Sequence, residues 1–183
     1  MDKATGSASV KGVSLTFNNS SRNLVTVSGN TGTMHYRVGT SGSWTTTIPT
    51  STNVGSWTIY YYMDASTNYT ARGSSSSPWG SVSSSIAKAN ISPTVSMSNW
   101  TYGQTASNPS VSGNTGGGSV SYSYKVSGAS DSTYTSTKPS KIGTYTVRAI
   151  ISATTNYNGA TVTSNFSILK MVPTLTWSTT PPT

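Results

Sequence analysis

The groups able to move a proton are few: one histidine, His35, and three aspartates, Asp2, Asp64 and Asp131, with no Glu and no Cys in 183 residues. A Ser-His-Asp relay would need His35 beside Asp64 or Asp131, because no other imidazole exists. His35 lies in Met34-His35-Tyr36-Arg37-Val38. Period-2 alternation sets it opposite Met34, Tyr36 and Val38, so the expectation is a solvent-facing strand residue. Glycoside hydrolysis needs two carboxyl groups at a matched separation. Here Asp2 is near the N-terminus, while Asp64 and Asp131 fall in different repeats. Without Cys there are no thiolate zinc sites, disulfides, catalytic thiols or haem attachment. Three dispersed acids nearly exclude a carboxylate cage for calcium or a multi-carboxylate metal centre. The expectation is no enzyme: no catalytic residue, no metal ligand set and no cofactor.

The formal charge of +8 reflects missing acids more than accumulated bases, since Lys and Arg together number only 11. They are dispersed from Lys3 to Lys170, and no basic arm concentrates phosphate contacts, so specific nucleic-acid binding is not expected. A diffuse positive field still favours approach to anionic polymers or an acidic protein lattice. No run of about 18 apolar residues exists, which argues against membrane insertion by a helix. Met1-Asp2-Lys3-Ala4-Thr5-Gly6-Ser7 lacks the apolar core of a secretory signal. With Met1 as the natural start, the expectation is a protein not exported by the signal-peptide route.

The elements that must carry these residues are strands. Only 33% of residues are hydrophobic and 69 are Ser or Thr, yet aromatics reach 10%, unlike disordered chains. In Thr144 to Ile151, Tyr145, Val147, Ala149 and Ile151 share one face and Thr146 and Arg148 the other. Val120, Tyr122, Tyr124 and Val126 alternate likewise, as do Val162, Phe166 and Ile168. No window carries an apolar stripe at helical spacing, and Ser/Thr/Gly/Asn content of this order is poor for helices. Short strands separated by Gly/Ser/Asn/Pro turns predict an all-β sandwich or barrel.

The chain also repeats itself. Ser28-Gly29-Asn30-Thr31-Gly32 returns as Ser112-Gly113-Asn114-Thr115-Gly116, and Tyr36-Arg37-Val38 as Tyr124-Lys125-Val126. Gly55-Ser56-Trp57-Thr58-Ile59 corresponds to Gly143-Thr144-Tyr145-Thr146-Val147, and Ala65-Ser66-Thr67-Asn68-Tyr69 to Ala153-Thr154-Thr155-Asn156-Tyr157. Ile91-Ser92-Pro93-Thr94-Val95 reappears as Met171-Val172-Pro173-Thr174-Leu175. Preserved order implies duplication. The predicted organisation is an N-terminal arm (1–10), domain 1 (11–89), domain 2 (90–170) and a stub (171–183) like the start of a third repeat. Short glycine-free joints predict a semi-rigid, end-to-end arrangement.

On these residues the chain resembles bacterial immunoglobulin-like tandem repeats, found in bacterial surface proteins and phage virion proteins. Leu15-Thr16-Phe17-Asn18-Asn19 and Ile48-Pro49…Gly55-Ser56-Trp57-Thr58-Ile59-Tyr60-Tyr61 are similar to one branch. Asn99-Trp100-Thr101-Tyr102-Gly103 and Gly143-Thr144-Tyr145-Thr146-Val147-Arg148-Ala149 are similar to its sister. The resemblance implies two tandem immunoglobulin-like β-sandwiches. The function it implies is a non-enzymatic structural or display protein, such as a virion decoration or fibre-like component. The alternative is part of a bacterial surface adhesin or stalk, with glycan binding compatible with either. Partners would be a protein lattice or a host-surface polymer, located on a virion or an extracellular surface, and self-association stays open.

Trp57, Ile59, Tyr145, Val147 and Phe166 are the expected core residues, with Tyr145 where such sandwiches place a corner tyrosine whose hydroxyl binds backbone. Gly55 and Gly143 precede their strands where the backbone needs positive φ or a close approach. Alternation from Trp57 to Met63 leaves Tyr60 and Tyr62 outward, either as candidate contacts for a partner or glycan or as cover for a sheet edge. Trp79, after Pro78, has two readings: a third such contact, or a cap on the open end of the sandwich.

Overall fold

The computed structural model describes residues 2–173. Among them the chain is almost entirely strand and turn, with one 3-10 turn at Asp131–Thr133 and no α-helix. Among the described residues no helix is long and apolar enough to cross a membrane. The chain divides into two compact units: unit 1 runs to Asn90 and includes Thr155–Asn158, and unit 2 comprises Ile91–Thr154 and resumes at Gly159. Residues 174–183 of the predicted stub lie outside the described residues.

Unit 1 contains β1 (Ser9–Gly12), β2 (Ser14–Thr16), β3 (Arg22–Asn23), β4 (Val25–Ser28), β5 (Met34–Val38), β6 (Thr50–Ser51), β7 (Gly55–Met63) and β8 (Gly80–Ala87). Its main sheet has the order β2-β8-β7-β5, antiparallel except for the parallel β2–β8 pair. Separate two-stranded sheets join β1 to β4 and β3 to β6. Leu24 and Val25 meet Met34, Tyr36, Ile59, Met63 and Ile86 in one core, each large side chain adding about 1.5–3 kcal/mol of burial. Strand β1 crosses so close to β8 that a Cβ on Gly12 would collide with the Ser83 carbonyl. One polar side chain enters this core: buried Ser84 donates to the Leu24 carbonyl and accepts from the Val13 amide.

The predicted arm is part of unit 1. The Ala4 amide donates to Asn68 O (2.9 Å) and the Ala4 carbonyl accepts from the Thr70 amide (2.9 Å), while Lys3 Nζ donates to Ser66 O (2.8 Å). Backbone bonds hold its first residues, which leave no side-chain alternation to follow, while Ala8 and Val10 pack on the unit 1 core and Ser9 already begins β1.

Unit 2 contains β9 (Thr94–Ser96), β10 (Trp100–Thr101), β11 (Ser110–Ser112), β12 (Val120–Val126), β13 (Gly143–Ile151) and β14 (Ala160–Leu169). Its main sheet, β10-β14-β13-β12, repeats the unit 1 order, including a parallel first pair, and β9 pairs with β11 as β1 does with β4. Phe166 is the centre of its core. Trp100 and Tyr145 stack on it at 5.3 and 5.7 Å between centroids, and Tyr124 meets it edge-on at 6.2 Å. Tyr145 is half-buried and donates its hydroxyl to Lys141 O at 2.9 Å. Gly55 and Gly143 both lie under the aromatic two residues on: a Cβ on Gly55 would press into the Trp57 ring, and one on Gly143 would touch Tyr145. Close approach is therefore the operative constraint at Gly55, whereas at Gly143 the Tyr145 contact is an ordinary one and the positive φ of 157° is what favours glycine.

The two units differ in register. Tyr36 faces Tyr61, six residues past Gly55, whereas Tyr124 faces Val147, four residues past Gly143. A two-residue slide of the edge strand preserves which face each side chain occupies, so both cores survive it.

Candidate functional site

In β5 and β7 the register sets His35 opposite Tyr62 and Arg37 opposite Tyr60. Their alternation partners Met34, Tyr36, Ile59 and Met63 are buried, so these four side chains share the outward face. The His35 and Tyr62 rings stack at 4.4 Å with 3° between planes. His35 Nε2–H donates to the Asp64 carboxylate at 2.7 Å, and the imidazole is only 18% exposed. His35 is thus stacked on Tyr62 and paired with Asp64, not simply solvent-facing. Strand alternation gives its face correctly but carries no information on Asp64, which lies one residue beyond the end of β7.

Trp44 completes the cluster. After β5 the chain turns at Gly39 (φ 64°) and returns, with Tyr36 and Thr45 exchanging both backbone bonds at 2.8 and 2.9 Å. That pairing delivers Trp44 to the outward face, where its ring meets Tyr62 edge-on at 4.7 Å and its indole N–H donates to Ser75 O at 3.2 Å. The Arg37 guanidinium carbon lies 4.7 Å from the Trp44 ring centre and 5.3 Å from that of Tyr60. Buried Arg37 Nε has no hydrogen-bond partner; ring faces take the place of an acceptor. Tyr60 and Tyr62 are half-buried parts of this surface. Trp44 lies in a Ser/Gly/Thr stretch without periodicity. No side-chain pattern marks it, because backbone pairing of its neighbour Thr45 is what places it.

Trp79 is elsewhere. Its amide donates to Tyr61 O, its ring meets Tyr61 edge-on at 5.7 Å, and it packs half-buried on the unit 1 core with Arg72 Cζ 4.7 Å from its ring centre. Tyr61 points to the face opposite Tyr60 and Tyr62, so the three candidate contact residues do not converge.

Unit 2 builds the same device with other side chains. Tyr124 and Thr135 exchange backbone bonds at 2.8 and 2.9 Å, placing Tyr134 outward. Arg148 Cζ lies 3.8 Å from its ring centre and Lys125 Nζ 5.1 Å away. Arg148 Nε donates to Ser123 Oγ at 3.0 Å, and Lys125 Nζ donates to Asp131 Oδ1 at 2.6 Å and Ala129 O at 2.7 Å. The hydrogen bond from Lys125, reinforced by its charge, holds the Asp131 carboxyl below its ordinary range. Among the described residues no group of three His, Cys, Asp or Glu side chains gathers as a metal site.

No protein-family model matches the chain, and no curated protein is significantly similar to it.

Proposed function

We propose that the chain is a non-enzymatic structural or display protein of two tandem immunoglobulin-like β-sandwiches, serving as a decoration or fibre-like component of a phage virion. One observation carries the reading. Both units reuse a single strand order and a single return segment, while the outward cation–aromatic pair changes from Arg37–Trp44 to Lys125–Tyr134. A plan kept constant beneath a varied outer face suits presentation to a partner, since function resides in sites grafted on a scaffold. The partner would be a protein lattice or a host-surface polymer. Quantitative proteomics of density-purified particles and of the producing cells' envelope tests this. A fixed ratio to the capsid protein supports it; confinement to the envelope, within a longer wall-anchored chain, overturns it.

The outward surface of Trp44, Tyr60 and Tyr62 favours a second reading, a bacterial surface adhesin or stalk that binds glycan, because half-buried rings held in place stack on sugars at little entropic cost. Glycan-array binding abolished by Tyr60→Ala or Tyr62→Ala supports it, and full retention removes it.

A further inference from the structure

The geometry points to a binding site for an acidic oligosaccharide on unit 2, in the hollow between β12 and the run from Thr133 to Lys141. The hollow measures about 340 Å³, within the ordinary range of ligand clefts. Tyr124, Tyr145, Val126 and Pro139 supply apolar walls of the kind that pack against sugar rings.

Its polar lining has two parts. Thr133, Thr135 and Thr137 are alternate residues of one run and all line the hollow. Thr133 Oγ1 already donates to Ser130 O (2.7 Å) and Thr135 Oγ1 to Thr137 O (3.3 Å). Their remaining lone pairs are acceptors, matched to a ligand rich in hydroxyl donors. The second part is cationic: Lys125, Lys138 and Lys141 all border the hollow. Lys138 Nζ is held by two neutral acceptors, Ser107 O at 2.7 Å and Asn108 Oδ1 at 2.6 Å, so its charge is oriented without being cancelled. Among the described residues the one acid nearby, Asp131, is committed to Lys125. Low-dielectric walls concentrate this positive field over the hollow. Hydroxyl acceptors, ring-stacking walls and uncancelled cations together fit sugar rings bearing carboxylates.

The ligand is a chain and not a single sugar. Across Pro139 and Ser140, which wall both, lies a second hollow of about 320 Å³ bordered by Trp100, Tyr102 and Gln104. Several linked sugars would cross that ridge with aromatic contact on either side. This assignment stands whether the chain decorates a particle or a cell.

Titration of the full chain with tetragalacturonate, followed by amide NMR, tests it, with the fully methyl-esterified oligomer as neutral control. The acid form should shift amides of 124–126 and 133–141, bind more weakly as salt rises, and lose about three- to fivefold in affinity in Lys141→Gln. Lys141 is exposed and its ammonium has no hydrogen-bond or ion-pair partner among the described residues, so an unchanged thermal midpoint separates lost charge from lost fold. Equal binding of the methyl ester, shifts confined to unit 1, or no shift at millimolar ligand each overturn the assignment.

Discussion

Arg37 holds its guanidinium 4.7 Å from the ring centre of Trp44, seven residues further along the chain. The pair locks the return segment onto the edge of the main sheet, and Trp44 also contacts Tyr62. Trp44→Ala should lower unfolding free energy by about 1–2 kcal/mol in urea denaturation, from a cation–π contact and an aromatic pair. An Arg37→Ala/Trp44→Ala cycle should couple by about 0.5–1 kcal/mol. Additivity would mean that the two side chains are neighbours without attraction.

Ser84 is the one buried polar residue among the described core residues of unit 1. Ser84→Ala leaves the Leu24 carbonyl and the Val13 amide each short of a bond, at a cost of about 1–3 kcal/mol. Denaturation of Ser84→Ala beside Ser85→Ala, on the exposed side of the same strand, should show a loss only in the first.

Phe166 and Tyr145 separate burial from hydrogen bonding. Phe166→Ala empties the position on which three rings pack and should cost about 3–5 kcal/mol. Tyr145→Phe keeps its ring and removes only the bond to Lys141 O, costing about 0.5–1.5 kcal/mol. Comparable losses by thermal unfolding would show that the hydroxyl, not the stack, organises this corner.

Asp131 titrates below its unfolded value because Lys125 bonds to it. The stabilisation from this pair is therefore present above the unfolded carboxyl pKa and lost as pH falls through the lower, folded one. Carboxyl-detected NMR should place Asp131 below the ordinary range in the native chain and return it there in Lys125→Met.

The strands were legible because Tyr145, Val147, Ala149 and Ile151 alternate with polar residues, and period 2 has few other meanings. Which residues share a face followed from the same signal, so the outward placement of Tyr60 and Tyr62 could be read directly. Contacts made by returning backbone could not. Trp44 and Tyr134 reach the outer face because their neighbours Thr45 and Thr135 each exchange two backbone bonds, with Tyr36 and Tyr124 respectively, and Ala4 joins unit 1 through bonds to Asn68 and Thr70. Backbone bonding leaves no trace in side-chain pattern. The two-residue slide of the edge strand was equally hidden, since an even shift alters no inward or outward assignment.

Two β units each fold around a core of their own. Native-state hydrogen exchange on full-length Ile59→Ala and Ile168→Ala tests this most directly, as each substitution opens a cavity worth about 2–5 kcal/mol. Ile59→Ala should lower amide protection in β5, β7 and β8 and leave β12, β13 and β14 at wild-type values, with Ile168→Ala giving the mirror image. Loss of protection in both main sheets from either substitution would contradict it.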